Sequence, residues 1–363
     1  MIKASILRML TAMLAAMVIS PALLAGVAHA ASSDDGIECR AITAQVRLSP
    51  LNPAAYQLYG ELCGRGALAG KTVQVLVPGF TYSHDYWDFP TQPDIYSYVR
   101  HAASEGYATF NIDRIGTGAS AHPLSALVTF DAHIYVLHQV VQGLRSGSTS
   151  GTAFPKVVTV GHSAGAGVVL AEASIHKDTD AVIITGLLHL PNPTGTGLFT
   201  SLYPAVLDAR FAGAGLDPGY LTTMPHTRAS DFYNTAAADP AIIAEDELLK
   251  DTGSSAELAT SDWVFAPTVS WQINVPVLLL MGQNDNSFCN PSLGLSCANS
   301  QAIMAREASY YNAQACLEAY VQPLSGHVIN LHLNAPSGFT AASDWANRRV
   351  GPDSAHPATQ PCL

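Results

Sequence analysis

Residues 158–167 read VTVGHSAGAG, and this run limits the fold more than any other part of the chain. Four apolar residues stop at Gly161, a serine follows two places later, and Gly165 stands two places beyond it. Small residues then open what reads as a helix. A serine held in a sharp strand-to-helix turn brings the positions two before and two after it against neighbouring backbone. Glycine at both removes the Cβ atoms that would clash there. The run therefore predicts a buried strand, a strained turn at Ser163 and a helix from Ala164.

The rest of the chain repeats that rhythm. Continuous apolar runs at 71–80, 106–113, 157–160, 181–188, 276–282 and 316–324 read as buried strands. Between them lie helical stretches: one up to about 104, one around 300–310 and one over 338–349. The clearest is 127–145, where Phe130, Ile134, Leu137, Val141 and Leu144 form one apolar stripe. Apolar strands alternating with helices predict an α/β fold, a mostly parallel sheet covered on both faces. Residues 38–48 and 55–63 read as a leading antiparallel pair. The rhythm breaks over about 190–272, a stretch with Pro, Gly and scattered aromatics such as Phe199 and Tyr203, too long for a plain loop. It reads as a helical cap inserted between two core strands.

The first 30 residues have the form of a secretory signal peptide: Lys3 and Arg8, an apolar stretch over 9–27, and Ala28-His29-Ala30 as a small-x-small cleavage site. Residues 31–363 are then one exported domain, secreted or periplasmic, with no membrane span after cleavage. A net charge of −11 and the lack of any Lys/Arg cluster exclude nucleic acid as a partner. Six cysteines in an exported chain suggest disulfides, and sequence neighbourhood favours Cys39–Cys63, Cys289–Cys297 and Cys316–Cys362. None has zinc-like spacing.

A serine hydroxyl needs a base, and the base needs an orienting carboxylate. On sheets of this kind the order along the chain is serine, acid, histidine. Asp285, in MGQND just past the run 276–282, stands at a strand's carboxyl end, where ligand groups collect. His327, in PLSGHVIN, lies just past the last strand and is the expected base, with His332 the runner-up. His133 and His138 fall about 140° apart on their helix and form no metal pair. His162 is expected to point away from the serine, and His84 to lie near the loop after 71–77. Oxyanion stabilisation needs two backbone N–H groups. Ala164 supplies one; Phe80 is the first choice for the other and Thr81 the second.

PGF (78–80), DRIGTGAS (113–120), GHSAG (161–165), GQND (282–285) and SGH (325–327) together resemble the serine hydrolases of the α/β-hydrolase fold, over essentially the whole mature chain. The usual His-Gly before the oxyanion residue is Pro78-Gly79 here, and there is no HGGG run. The resemblance implies a Ser163–His327–Asp285 acyl-enzyme mechanism on a small or lipid-like ester, with the cap and Phe80 shaping an apolar acyl site. It needs no cofactor or metal, and activity should rise with pH as the histidine base becomes neutral. A lactonase, amidase, polyester hydrolase or acyltransferase would use the same three residues. A non-catalytic binding protein on this scaffold is the remaining alternative. Ser163 excludes the dehalogenase and epoxide hydrolase chemistry, which needs Asp at that place. Nothing in the sequence speaks to oligomeric state.

Overall fold

A computed structural model describes residues 36–195 and 200–362; the expected signal peptide, and Phe199 of the expected cap, lie outside the described residues. The leading pair forms β1 (Ile37–Arg47) and β2 (Ala55–Arg65), in an antiparallel register that sets Cys39 opposite Cys63. The apolar runs then become β3 (Thr72–Val77), β4 (Ala108–Ile112), β5 (Lys156–His162) and β6 (Ala181–Thr185). Three short strands follow, β7 (Leu202–Pro204), β8 (Tyr220–Thr223) and β9 (Gly253–Ser254), and after them β10 (Val277–Gly282) and β11 (Glu318–Gln322).

Eight of these build one sheet in the order β1-β2-β4-β3-β5-β6-β10-β11, parallel except where β2 runs against its neighbours. Residues of β3, β4, β6 and β10 are buried throughout, as strands covered on both faces must be. Alternate side chains serve opposite layers. Val73, Val75 and Val77 face the layer that holds the helices Phe130–Ser146 and Ala164–Ile175. Leu76 faces the layer of Tyr98–Ser104 and Ala335–Arg349. The predicted stripe from Phe130 to Leu144 is buried, and Thr129 caps its helix by accepting from the Ala132 N–H.

The chain turns from β3 to β4 on one side, then crosses back to lay β5 on the other side of β3. Where strand order reverses, the loops at the carboxyl ends diverge and leave a crevice. The loops after β3 and β5 both open there.

The segment between β6 and β10 departs from the expected helical cap. It does carry helices, among them Arg228–Phe232, Pro240–Leu249 and Ser255–Ala259, but also a second, antiparallel sheet of order β7-β8-β9. Strands of two to four residues are too short to show alternation in sequence, which is why periodicity misses them. All three disulfides join the cysteines paired by sequence neighbourhood. Among the described residues no helix is long and apolar enough to cross a membrane.

Candidate active site

β5 ends at His162 and the helix begins at Ala164, so Ser163 carries the whole reversal. Its backbone sits at φ 52°, ψ −118°, a conformation costly for a residue with a side chain. The flanking glycines make it possible. A Cβ on Gly161 would lie 2.4 Å from the Gly165 carbonyl oxygen, and one on Gly165 would lie 2.4 Å from the carbonyl oxygens of Val77 and Pro78. The turn is thus wedged against the end of β3, which fixes where the serine points.

The loop after β3 runs beside it. A Cβ on Gly79 would approach the Ser163 Cβ to 3.3 Å. Phe80 and Thr81 follow directly, and Thr81 takes φ 62°, a left-handed conformation unusual for a β-branched residue. Its carbonyl accepts from the Asp251 N–H at 2.9 Å, and its hydroxyl from Arg228 Nη1 at 3.2 Å. Arg228 is fully buried, chelated by Asp246 through two 3.0 Å bonds, with its guanidinium 4.1 Å from the Tyr82 ring centre. Residues from the segment after β6 therefore hold this loop in its strained shape. The Ala164 N–H opens its helix, where no carbonyl one turn earlier is available to it.

Asp285 and His327 meet as the sequence order predicts. His327 Nδ1 lies 2.9 Å from Asp285 Oδ2, with Asp285 fully buried and His327 nearly so. The Ser287 N–H donates to the other Asp285 oxygen at 2.9 Å, so the carboxylate is itself oriented. The Cys289–Cys297 disulfide closes the same loop, where the Cys289 N–H bonds the Asp285 carbonyl. The His327 N–H donates to the Phe232 carbonyl at 2.8 Å. Gly186, just past β6 at φ 63°, gives the imidazole room: a Cβ there would come within 3.2 Å of His327 Cε1.

Ser163, Ala164 and His327 share the lining of one cavity of about 470 Å³. Among the described residues no hydrogen bond joins the Ser163 hydroxyl to His327; such bonds commonly close only when substrate is bound. Phe130, Leu187, Val264, Phe265 and Phe288 make the walls apolar, with Glu257 and Asp262 among the polar lining groups. Phe80, expected to shape an apolar acyl site, does not wall the cavity. Its ring is buried against Gly253 of β9, and the direction of that ring is set by contacts the sequence does not show.

The other histidines separate by what they bond. His332, the runner-up base, is buried with both nitrogens engaged: Nδ1 faces the Val328 carbonyl at 2.8 Å, and Nε2 accepts from the Gly326 and Asn234 N–H groups. Burial pulls it down to about 4, so it stays neutral and has no lone pair free to take a proton. His162 leaves the serine as expected, but its ring packs 4.9 Å from that of His327 and stacks on Tyr86. Burial, then the neighbouring His327, hold it well below the usual histidine range. His84 lies 2.8 Å from the Asp113 carboxylate. His133 reaches toward Glu257 at 3.3 Å.

One element escaped sequence reasoning. Arg114, buried in the DRIGTG run, donates Nη2 to the Gly79 carbonyl at 3.0 Å and pairs through Nη1 with Glu257. Burial would raise the Glu257 carboxyl, but Arg114, and after it His133, bring it down to about 2. The motif marked Arg114 as part of a pattern, whereas nothing in the sequence marked Glu257.

A parallel sheet with a strained serine turn at its switch point, an Asp–His pair beyond later strands and a segment inserted between β6 and β10 define the class of α/β hydrolases. The chain belongs to the alpha/beta hydrolase family, whose model matches residues 74–342. A search of curated proteins by sequence gives no match. Among solved structures the chain is similar to a monoacylglycerol lipase of Paleococcus ferrophilus, at 16% identity and a TM-score of 0.54, covering 79% of this chain and 97% of that one. It is also similar to a soluble variant of the monoglyceride lipase of Saccharomyces cerevisiae, at 17% and 0.56, covering 87% and 97%. A bromoperoxidase of Bacillus anthracis, at 18% and 0.52, is covered over 97% of its length by 83% of this chain. At such identities the likeness speaks for the fold.

Proposed function

We propose that this protein is an exported serine hydrolase of carboxylic esters. Ser163 attacks the ester carbonyl while His327 takes its proton, Asp285 holds the imidazole in the productive tautomer, and the N–H groups of Ala164 and Phe80 receive the oxyanion. The alcohol leaves with the proton from His327, and water, activated by the same imidazole, releases the acid from Ser163. The observation that carries the reading is the Asp285–His327 pair at 2.9 Å, opening on the same cavity as a serine held at φ 52°. The proposed mechanism calls for no metal or cofactor.

The segment between β6 and β10 acts as the cap that selects substrate. The cavity walls are apolar, and Asp262 repels a negatively charged acyl group, the Glu257 charge being offset by Arg114. This favours neutral esters with an apolar acyl chain. Export rests on the leader of residues 1–30 and fits three disulfides, which persist in oxidising compartments.

A fluorophosphonate probe tests the chemistry. Wild-type protein is expected to be labelled once, at Ser163, with Ser163→Ala unlabelled. Equal labelling of the two proteins, or none of the wild type, would sink the reading. A panel of neutral and anionic activated esters then tests the cavity, with the neutral, apolar acyl groups turned over faster.

A further inference from the structure

At the far end of the helix that starts beside Ser163, a second group of side chains converges. Glu172 comes from that helix, His138 from Phe130–Ser146 packed against it, and Asp178 from the turn that follows. One potential ligand atom from each lies within 4.8 Å of the others. Glu172 is fully buried, and beyond the Asp178 carboxyl that faces it neither of its carboxylate oxygens has a hydrogen-bond partner; the Asp178 Oδ1 is likewise buried, with no partner outside this pair. Two carboxylates facing each other in such a place need either a cation or a shared proton between them. His138 Nδ1 itself lies 2.7 Å from Asp178 Oδ2, whereas Arg145 directs Nε to the Asp178 carbonyl and Nη2 to Asp180 and so leaves Glu172 without a hydrogen bond from a guanidinium.

We propose that His138, Glu172 and Asp178 bind a divalent transition-metal ion of the zinc type, as a structural site independent of the ester chemistry. One imidazole and two carboxylates form the mixed nitrogen and oxygen set that zinc accepts, and water completes the shell. A second layer of contacts already orients the ligands, as such sites require. Gln142 donates to Asp178 Oδ2 at 2.6 Å, and the His176 ring stacks on His138 with centres 3.9 Å apart and planes 12° apart. His138 keeps 27% of its side chain exposed, which leaves an entry path. In sequence the site is invisible, since 40 residues separate His138 from Asp178 and no zinc-like spacing marks them.

The competing arrangement is a proton shared by the two acids. Burial, and then Asp178, push the Glu172 carboxyl above the usual carboxylate range. Metal binding displaces that proton into solvent and leaves both carboxylates charged against the ion. A shared proton needs no third ligand, whereas the ion uses His138 directly.

The test uses full-length protein stripped with a chelator, titrated calorimetrically with zinc and, in parallel, with magnesium and calcium. We expect one zinc per chain, no response to the harder cations, and a raised Tm in the presence of zinc. Loss of an ordinary outer-shell contact weakens metal sites by about ten- to a hundred-fold, so removing a ligand should cost at least about a hundred-fold. Glu172→Gln and the partly exposed His138→Gln should both show that loss and no zinc-dependent Tm shift. Stripped wild type that binds no zinc, or variants that bind it as tightly as wild type, would overturn the proposal. So would a Glu172→Gln protein more stable than wild type when wild type shows no zinc effect, the mark of a shared proton.

Discussion

Arg114 acts on the proposed reaction through a single peptide plane. The Gly79 carbonyl that it binds and the Phe80 N–H belong to one trans peptide group, so they point in opposite directions. On the proposed reading, fixing the Gly79 oxygen also fixes the direction of the Phe80 N–H, beside a Gly79 that sits close to the Ser163 Cβ. Glu257 keeps the guanidinium in place, and with its carboxyl brought down to about 2 it remains charged at any working pH. Glu257 also lines the cavity, so two roles have to be separated. An oxyanion donor contributes only in the transition state, and losing one outright costs about a hundred- to a thousand-fold in kcat. Loosening the anchor should cost less, roughly ten- to a hundred-fold. Glu257→Gln and Arg114→Met are therefore expected to lower kcat on a small neutral ester with KM nearly unchanged. A raised KM at constant kcat would assign the pair to substrate contact instead.

At the scale of elements, the turn between β5 and its helix shows how far a sequence can be read. Gly161, Ser163 and Gly165 pointed to the strand, the turn and the helix together, because glycines at that spacing relieve the clashes of a sharp turn, and Asp285 and His327 following in order gave the run its weight. Asp285 and His327 were legible for a related reason: each follows an apolar run that could only be a strand, and strand ends of a parallel sheet converge. What stayed hidden depends on contacts between distant segments. The hand-hold of Arg228 and Asp251 on Thr81 is of that kind, as are the room that Gly186 gives His327, the direction of the Phe80 ring and the small β7-β8-β9 sheet. None has a local periodicity or motif. The turn itself yields a sharp expectation. A methyl at position 165 meets two carbonyl oxygens at 2.4 Å, and these are backbone atoms of Val77 at the end of β3 and of Pro78 just after it, which cannot rotate aside. Gly165→Ala should lower the urea midpoint by an amount worth at least about 1–3 kcal/mol, the usual cost of overpacking, and remove esterase activity as the serine is displaced. Gly151→Ala, at φ 71° with nothing within 4 Å, adds backbone strain without a clash and should leave activity unchanged, which separates general destabilisation from displacement of the serine. Full activity in Gly165→Ala would mean that the turn is not held by this contact.

For the whole molecule, two histidines outside the proposed chemistry contribute to opposite limbs of stability against pH. Burial lowers His84, but the hydrogen bond and charge of Asp113, with Asp85 and Glu61 further off, overcome this and bring it up to about 9. Its contribution is complete below the unfolded value of about 6.5 and is lost as pH rises through 9. His332 runs the other way: burial brings it down to about 4, and its neutral ring accepts two N–H groups behind the loop that carries His327. Its contribution is complete above about 6.5 and is lost as pH falls toward 4, where the folded ring must take a proton. Each shift corresponds to roughly 3 kcal/mol at full extent. Stability measured by urea unfolding, with a chelator present so that the His138 site stays metal-free, should therefore peak near pH 6.5 and fall on both sides. His84→Gln should make the alkaline limb between about 6.5 and 9 shallower and leave the acid limb alone, while His332→Gln should lower the peak and make the acid limb between about 6.5 and 4 shallower, the buried His162 and His133 keeping part of it. If either variant changed the opposite limb instead, that histidine would carry the wrong charge in the folded protein for the limb to which it is argued to contribute.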